Sequence, residues 1–313
     1  MGTFTGHAYI SGGVRGRTRI NGIGRTSGKG RIRLFVLVLA FVAYFAVGSP
    51  AQSAADLESS VRSGNTEQKR ESLFQIRNLR SEIASRIALP ALRDSDTMVR
   101  ATAAASVIHL PKPEAVNALA PLLTDKDPFV RKEAAYALGD VRSPEAAPLL
   151  IELLRREKDF EIRAAAAIAL GKSGNPAGVE SLLSIFKTRP TDDNEFLRRS
   201  AARSIWQIAQ ISKTANAYVV TPQNFLPESY KNIHAADQVT PPAPLVAATP
   251  TLIRVLQDRS ESDDTRREAA FALGVIGDRS AVSVLEAQRN SPDPYLVEIT
   301  KEALLKLEPT GHK

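Results

Sequence analysis

Cysteine is absent from all 313 residues. Its absence excludes a disulfide framework, thiolate metal sites, a cysteine nucleophile and a lipid-modified N-terminal cysteine. Histidine is scarce: His7, His109, His234 and His312 are the whole supply. None stands in an HExxH pair, so no helix offers two imidazole ligands one turn apart. There is no GxxxxGK[ST] phosphate loop and no GxSxG nucleophile elbow. No catalytic residue, metal ligand or cofactor-binding residue is therefore assigned. Aromatic residues make up only 6% of the chain, with Trp206 the single tryptophan. A repeated alternating strand pattern is also missing, which points to an all-α protein.

The net charge of +7 is misleading as a sign of nucleic-acid binding. Residues 1–33 carry Arg15, Arg17, Arg19, Arg25, Lys29, Arg31 and Arg33 and no acid. Without those seven, 34 basic residues face 34 acidic ones. The body is balanced, so no nucleic-acid partner is expected. The same 33 residues hold nine of the eighteen glycines and read as a disordered leader. Leu34 to Val47 is an uninterrupted apolar run. At about 1.5 Å per residue it covers roughly 21 Å, short of a bilayer core of roughly 30 Å. A basic flank, a short apolar run and then small residues follow the order of a signal peptide. Cleavage is expected before Asp56, after Ser53-Ala54-Ala55, with Ala51-Gln52-Ser53 as a second position. If uncleaved, the uncharged stretch 34–55 is long enough to anchor the chain in a membrane. Either way residues 56–313 are expected outside the cytoplasm, periplasmic or extracellular, touching a membrane only through the N-terminal segment.

What is present in abundance is a repeat. An acid or Asn, two residues on average, a buried-type apolar residue and usually Arg open an Ala-rich segment. Instances are Asp96 to Arg100, Asp127 to Arg131, Asp159 to Arg163 and Asn194 to Arg198, then Asp263 to Arg266 and Asp293 to Leu296. The aligned apolar positions are 99, 130, 162, 197, 265 and 296, with Thr265 standing in at the fifth. One interval is about twice the others, so one unit is degenerate or replaced by an insertion. Val130, Ala134, Ala137, Leu138 and Val141 form one helical stripe. Ala-Leu-Gly at 137–139, 169–171 and 272–274 is expected to end such helices, with Gly as a cap. Ser143-Pro144, Asn175-Pro176 and Thr249-Pro250 are expected to open the helices that follow.

Asp127 to Gly139, with Asp159 to Gly171 close behind, resembles the HEAT repeat of the bacterial phycobilisome-lyase-like kind. The resemblance runs from about Glu67 to Leu307 outside the insertion, and Pro90 and Pro121 fit its first helices. It implies an α-α superhelix, a right-handed solenoid whose second helices line a concave face. Two enzyme groups share this repeat family. Deoxyhypusine hydroxylases hold iron through His-Glu pairs that this chain lacks, and phycobilin lyases act on cytoplasmic partners.

The expected function is thus an extracytoplasmic scaffold that binds a protein or peptide through its concave face, without catalysis. A lyase- or oxidoreductase-type enzyme or accessory is the alternative, and a structural envelope component is a third class. Candidate partner-binding residues are the arginines Arg131, Arg163, Arg198 and Arg266, and the off-stripe positions Tyr136, Ile168, Arg203, Phe271 and Trp206. Arg100 completes the arginine series. Its bland reading is that each Asp caps a helix and pairs with an Arg of its own or the next unit. The Pro-rich insertion at about 211–248 adds Tyr218, Phe225 and Tyr230. If functional, it is expected to bring its aromatics near Trp206. If not, it is a spacer.

Overall fold

The computed structural model describes residues 53–214, 222, 225, 227 and 240–307. The expected leader (1–33) and most of the hydrophobic segment (34–55) lie outside them. Among the described residues every regular element is helical, and no helix is long and apolar enough to cross a membrane.

The array is two layers of helices. One layer holds the second helices of the units: α2 (Thr66–Leu79), α4 (Thr97–Ser106), α6 (Pro128–Val141), α8 (Phe160–Ser173), α10 (Glu195–Thr214), α13 (Asp263–Ile276) and α15 (Pro294–Leu307). The other holds the first helices: α1 (Ala54–Ser63), α3 (Glu82–Ala88), α5 (Lys112–Leu119), α7 (Ala147–Arg156), α9 (Val179–Ser184), α11 (Ala243–Val246), α12 (Thr249–Gln257) and α14 (Val282–Glu286). Each second helix packs on the next along the array, while first helices touch one another sparingly. A single pair cannot bury its own stripe, so stacking supplies a core that runs through every unit. Val99, Val130, Ile162, Leu197, Thr265 and Leu296, the aligned apolar positions, are all buried.

Proline shapes the first helices. Pro90 and Pro121 cannot donate, so α3 and α5 tighten into short 3-10 turns at Leu89–Arg93 and Ala120–Thr124. Asp96, Asp127 and Asp159 each accept backbone N–H groups at the start of α4, α6 and α8. Other helix starts differ from expectation. Ser262, not Asp263, caps α13, and Thr249 is the first residue of α12, where Ala248 offers no side-chain cap. Asn194 is itself held by Thr191 in a short turn before α10. Ser143 and Asn175 do accept the N–H two residues on.

The Ala-Leu-Gly glycines do not cap. Gly139, Gly171 and Gly274 lie inside α6, α8 and α13, and the left-handed cap positions belong to Arg142, Gly174 and Gly277. The reason for glycine there is the neighbouring helix. A Cβ on Gly139 would stand 2.9 Å from Ala169 Cα, and one on Gly274 would stand 2.6 Å from Ala303 Cα.

The doubled interval holds no extra second helix among the described residues, because α10 packs directly on α13. The insertion is also shorter than expected. Residues 211–214 continue α10, and α11 begins at Ala243.

Candidate functional site: the outer face of the second helices

The residue just before each buried apolar position lies in the first turn of a second helix, away from the first-helix layer. Met98, Phe129, Phe196 and Tyr295 occupy it, Phe160 stands one residue earlier in α8, and all are exposed. Phe74 on α2 is exposed as well. A groove of about 460 Å³ is lined by Arg70, Phe74, Met98, Thr102, Phe129 and Glu133 of α2, α4 and α6. Cations lie over several of these rings. Lys132 is 5.9 Å from Phe129, Arg163 5.9 Å from Phe160, Arg199 5.5 Å from Phe196 and Arg267 5.1 Å from Tyr295. Each cation spares the ring some exposure and is attracted to its face. Ion pairs tie the same face together from helix to helix: Lys132–Glu161, Lys172–Asp140, Arg199–Asp264 and Arg267–Asp293. The aromatic row is thus set among ion pairs that cross from helix to helix. The repeat pattern contained these rings, beside the apolar positions it marks, but the pattern alone does not say that they face solvent.

Most of the arginine series faces inward. Arg100 sends one nitrogen to the carbonyls of Asp94 and Ser95, and two more to the Asp125 carboxylate at 2.8 and 2.9 Å. Arg131 repeats this with the carbonyl of Asp125 and the carboxylate of Glu157. Arg198 does so with the carbonyls of Ile185 and Thr188 and the carboxylate of Glu261. Arg266 donates to the carbonyl of Leu256 and, at 3.4 Å, to Gln288. Each guanidinium therefore covers free carbonyls at the end of its own unit's first helix, and three of them reach an acid of the following unit. The capping acid and the pairing acid are different residues. Arg198, 2% exposed, is closed off from any partner. Arg163 is the exception, with a buried Nε that has no hydrogen-bond partner.

Of the off-stripe positions, Tyr136 and Ile168 are half-buried, and Tyr136 packs against the core. Arg203 is exposed and pairs with Glu268. Trp206 and Phe271, expected either at a partner interface or covering a gap between repeats, are buried between α10 and α13. Their rings meet edge to face at 5.0 Å, and the Trp206 indole N–H donates to Glu268 at 2.6 Å. Their burial follows from the direct contact of α10 with α13, because a tryptophan stands where α6 and α8 have glycine and needs the space between helices. Of the insertion's aromatics, the described one, Phe225, lies in a different place from the one expected. Phe225 packs on Tyr295 at 5.4 Å, at the start of α15, and not on Trp206. Tyr218 and Tyr230 lie outside the described residues.

Lys306 of α15 lies 4.3 Å above the Phe271 ring. Burial pushes its ammonium down to about 8, with Lys213 nearby acting in the same direction. Between about 8 and the unfolded value of about 10.4 the unfolded chain binds more protons, so this lysine makes stability rise with pH across that window. Lys306→Met should flatten that rise. Urea unfolding of both proteins at intervals across the window measures it, and parallel curves would show that Lys306 does not titrate low. Among the described residues no group of three or more His, Asp or Glu is placed to hold a metal ion, and His109 is half-buried before Pro111.

Comparison with known proteins completes the picture. Residues 85–171 match the family model described as HEAT repeats. Residues 162–188 and 265–287 match the PBS lyase HEAT-like repeat. The chain is a HEAT-repeat protein. An engineered protein of known crystal structure is 19% identical over 81% of this chain and 68% of its own, with a TM-score of 0.50. The CpcE–CpcF complex of phycocyanin lyase from Nostoc sp. PCC7120 is 19% identical, covering 83% of this chain and 89% of its own, with a TM-score of 0.46. Human deoxyhypusine hydroxylase is 17% identical, covering 82% and 96%, with a TM-score of 0.34. At these identities the likeness concerns the fold alone. No curated protein matches the sequence. The HEAT array thus accounts for the fold, and its function has to be read from its own surface.

Proposed function

We propose that this HEAT-repeat protein is a non-catalytic, exported scaffold that holds an extended segment of a partner protein along the outer face of its second helices. One observation carries the reading: large apolar side chains, Met98, Phe129, Phe160, Phe196 and Tyr295, stay exposed in the first turn of α4, α6, α8, α10 and α15, with α13 the exception among them. Rings that the core could have taken in are instead presented at the repeat spacing. Aromatic anchors in register with a rigid array are the kind of group that dominates binding energy at protein interfaces. The groove beside Phe74, Met98 and Phe129 gives the segment a place to enter. The basic leader and apolar run of residues 1–55 support export. Ser53 caps α1 and accepts from Asp56 N–H, so cleavage before Asp56 would remove that cap and the first two residues of the helix.

The test is a photo-crosslinking amino acid placed at Phe129 and at Phe160, with Glu152 of α7 as the first-helix control, in the native host. A common partner should be captured at both second-helix sites and not at the control. Phe129→Ser with Phe160→Ser should lower its recovery at least tenfold, in line with the loss of roughly 2 kcal/mol or more for aromatic anchors. Equal capture at Glu152 would place binding elsewhere. The N-terminus of the recovered protein reports export in the same material. A chain beginning near Met1 in the cytoplasm would reject that part of the reading.

A further inference from the structure

The turn between α9 and α10 breaks the rule set by the junctions before it. The carboxylates that receive Arg100 and Arg131, Asp125 and Glu157, stand 26 and 27 residues after the buried Val99 and Val130. The residue 27 positions after Ile162 is Arg189. At that spacing the chain carries Thr188 and Arg189, and the acids of this turn, Asp192 and Asp193, come later and are exposed. Arg163 is left without the acid of the following unit that Arg100, Arg131 and Arg198 have, and its buried Nε is unpaired. Burial without compensation pulls the Arg163 guanidinium below its ordinary value.

The same turn forms one wall of a recess of about 390 Å³ against α12, floored by Phe186 and the buried Arg198–Glu261 pair. Lys187, Arg189 and Arg254 line it. None of the three has an ion-pair partner within 4 Å among the described residues, whereas the two acids of the recess are already engaged. Glu261 serves Arg198, and Asp258 accepts the N–H and the hydroxyl of Ser260. Those Ser260 hydrogen bonds hold the Asp258 carboxyl below the usual range, so it stays ionised at neutral pH. Even with Asp258 set against Arg254, two cations remain. The recess of about 530 Å³ at the junction of α3 and α5 is different. It is lined by Leu89, Pro90 and Pro121, its Arg100 is satisfied by Asp125, and Arg93 is its single uncommitted cation among the described residues.

We infer that the recess between the 187–190 turn and α12 receives an acidic peptide segment, whose Asp or Glu carboxylates are bound by Lys187, Arg189 and Arg254. The occupant follows from charge complementarity within the array. Within the recess Glu261 is taken up by Arg198, so Asp258 is the one remaining lining acid for Lys187, Arg189 and Arg254. A guanidinium takes a carboxylate in a two-point geometry that a partner's acid can satisfy as well as an internal one. The inference rests on the scaffold reading only in taking the ligand to be a protein segment.

Fluorescein-labelled hexaglutamate titrated into the full chain at about 50 mM salt tests it, since screening at that ionic strength is weak. Saturable binding is expected, with hexaglutamine failing to bind. Arg189→Glu and Arg254→Glu should each weaken it about tenfold or more, the scale of one lost charge-assisted hydrogen bond. Arg279→Glu, on a turn that does not line the recess, should leave it unchanged. All three side chains are exposed, so unchanged far-UV circular dichroism confirms that the fold is retained. Absence of saturable hexaglutamate binding overturns the inference, as does equal weakening by Arg279→Glu, which would mean undirected charge attraction. Binding of inorganic triphosphate in place of hexaglutamate also overturns it, in favour of a phosphate site. Hexaglutamate has no aromatic side chain, so its binding is independent of the Phe129 and Phe160 crosslinking result, and either reading can fail alone.

Discussion

Arg198→Met should be among the most destabilising single changes in the array, at about 3–5 kcal/mol. Arg198 and Glu261 are each 2% exposed at the side chain. Truncating one leaves the other charged, dehydrated and unpaired, and that penalty is what makes broken buried pairs so costly. The carbonyls of Ile185 and Thr188 lose their donor as well. The location adds to the effect, because this pair joins α10 to the unit that follows the insertion. Glu261→Gln should also destabilise, and Arg198→Met with Glu261→Leu should recover part of the loss, since a buried pair replaced by apolar groups of similar size is often near neutral. Urea unfolding followed by circular dichroism gives all three values. Arg203→Ala is the reference: Arg203 is mostly exposed in its pair with Glu268, and such pairs are worth about 0–1 kcal/mol. Should Arg198→Met cost no more than Arg203→Ala, the buried rung would not be holding the two units together.

Gly274→Val is the second large effect, at about 3 kcal/mol, the upper end for overpacking. The new Cβ would stand 2.6 Å from both Cα and Cβ of Ala303, which is backbone and cannot rotate aside. Helices α13 and α15 would have to separate, and α15 closes the described part of the array. In a solenoid each unit is held chiefly by its neighbour, so the damage should stay local. Proteolysis within α15 should speed up before the rest of the protein melts. Gly178→Ala is the comparison. Its Cβ would meet only the Leu170 side chain, nearest at Cδ2 at 3.1 Å, and a shift of a few tenths of an ångström accommodates it. Equal melting temperatures for the two variants would mean that α13 and α15 do not pack as closely as described.

These two positions also separate what was legible in the sequence from what was not. The apolar stripe from Val130 to Val141, the capping aspartates and the spacing near 31 residues required an all-helical array of repeated pairs. They do so because helix periodicity and capping are properties of a few adjacent residues. Neighbouring units decided the rest. Gly139 and Gly274 read as caps in a single helix, and only the approach of Ala169 and Ala303 shows them to be contact points. Trp206 and Phe271 read equally as interface aromatics or as cover for a gap between repeats until α10 and α13 are seen to pack directly across the insertion. The pairing acids were visible two residues before the capping ones, as in Asp125-Lys126-Asp127 and Glu157-Lys158-Asp159, but their arginines belong to the preceding unit. Phe129, Phe160 and Phe196 were visible too, yet whether a first-turn ring faces solvent depends on where the adjacent helices lie. The fold of this HEAT protein was therefore set by local sequence pattern. Which of its arginines and aromatics remain free to bind was set by the stacking of units, because burial is a property of the neighbours and not of the residue.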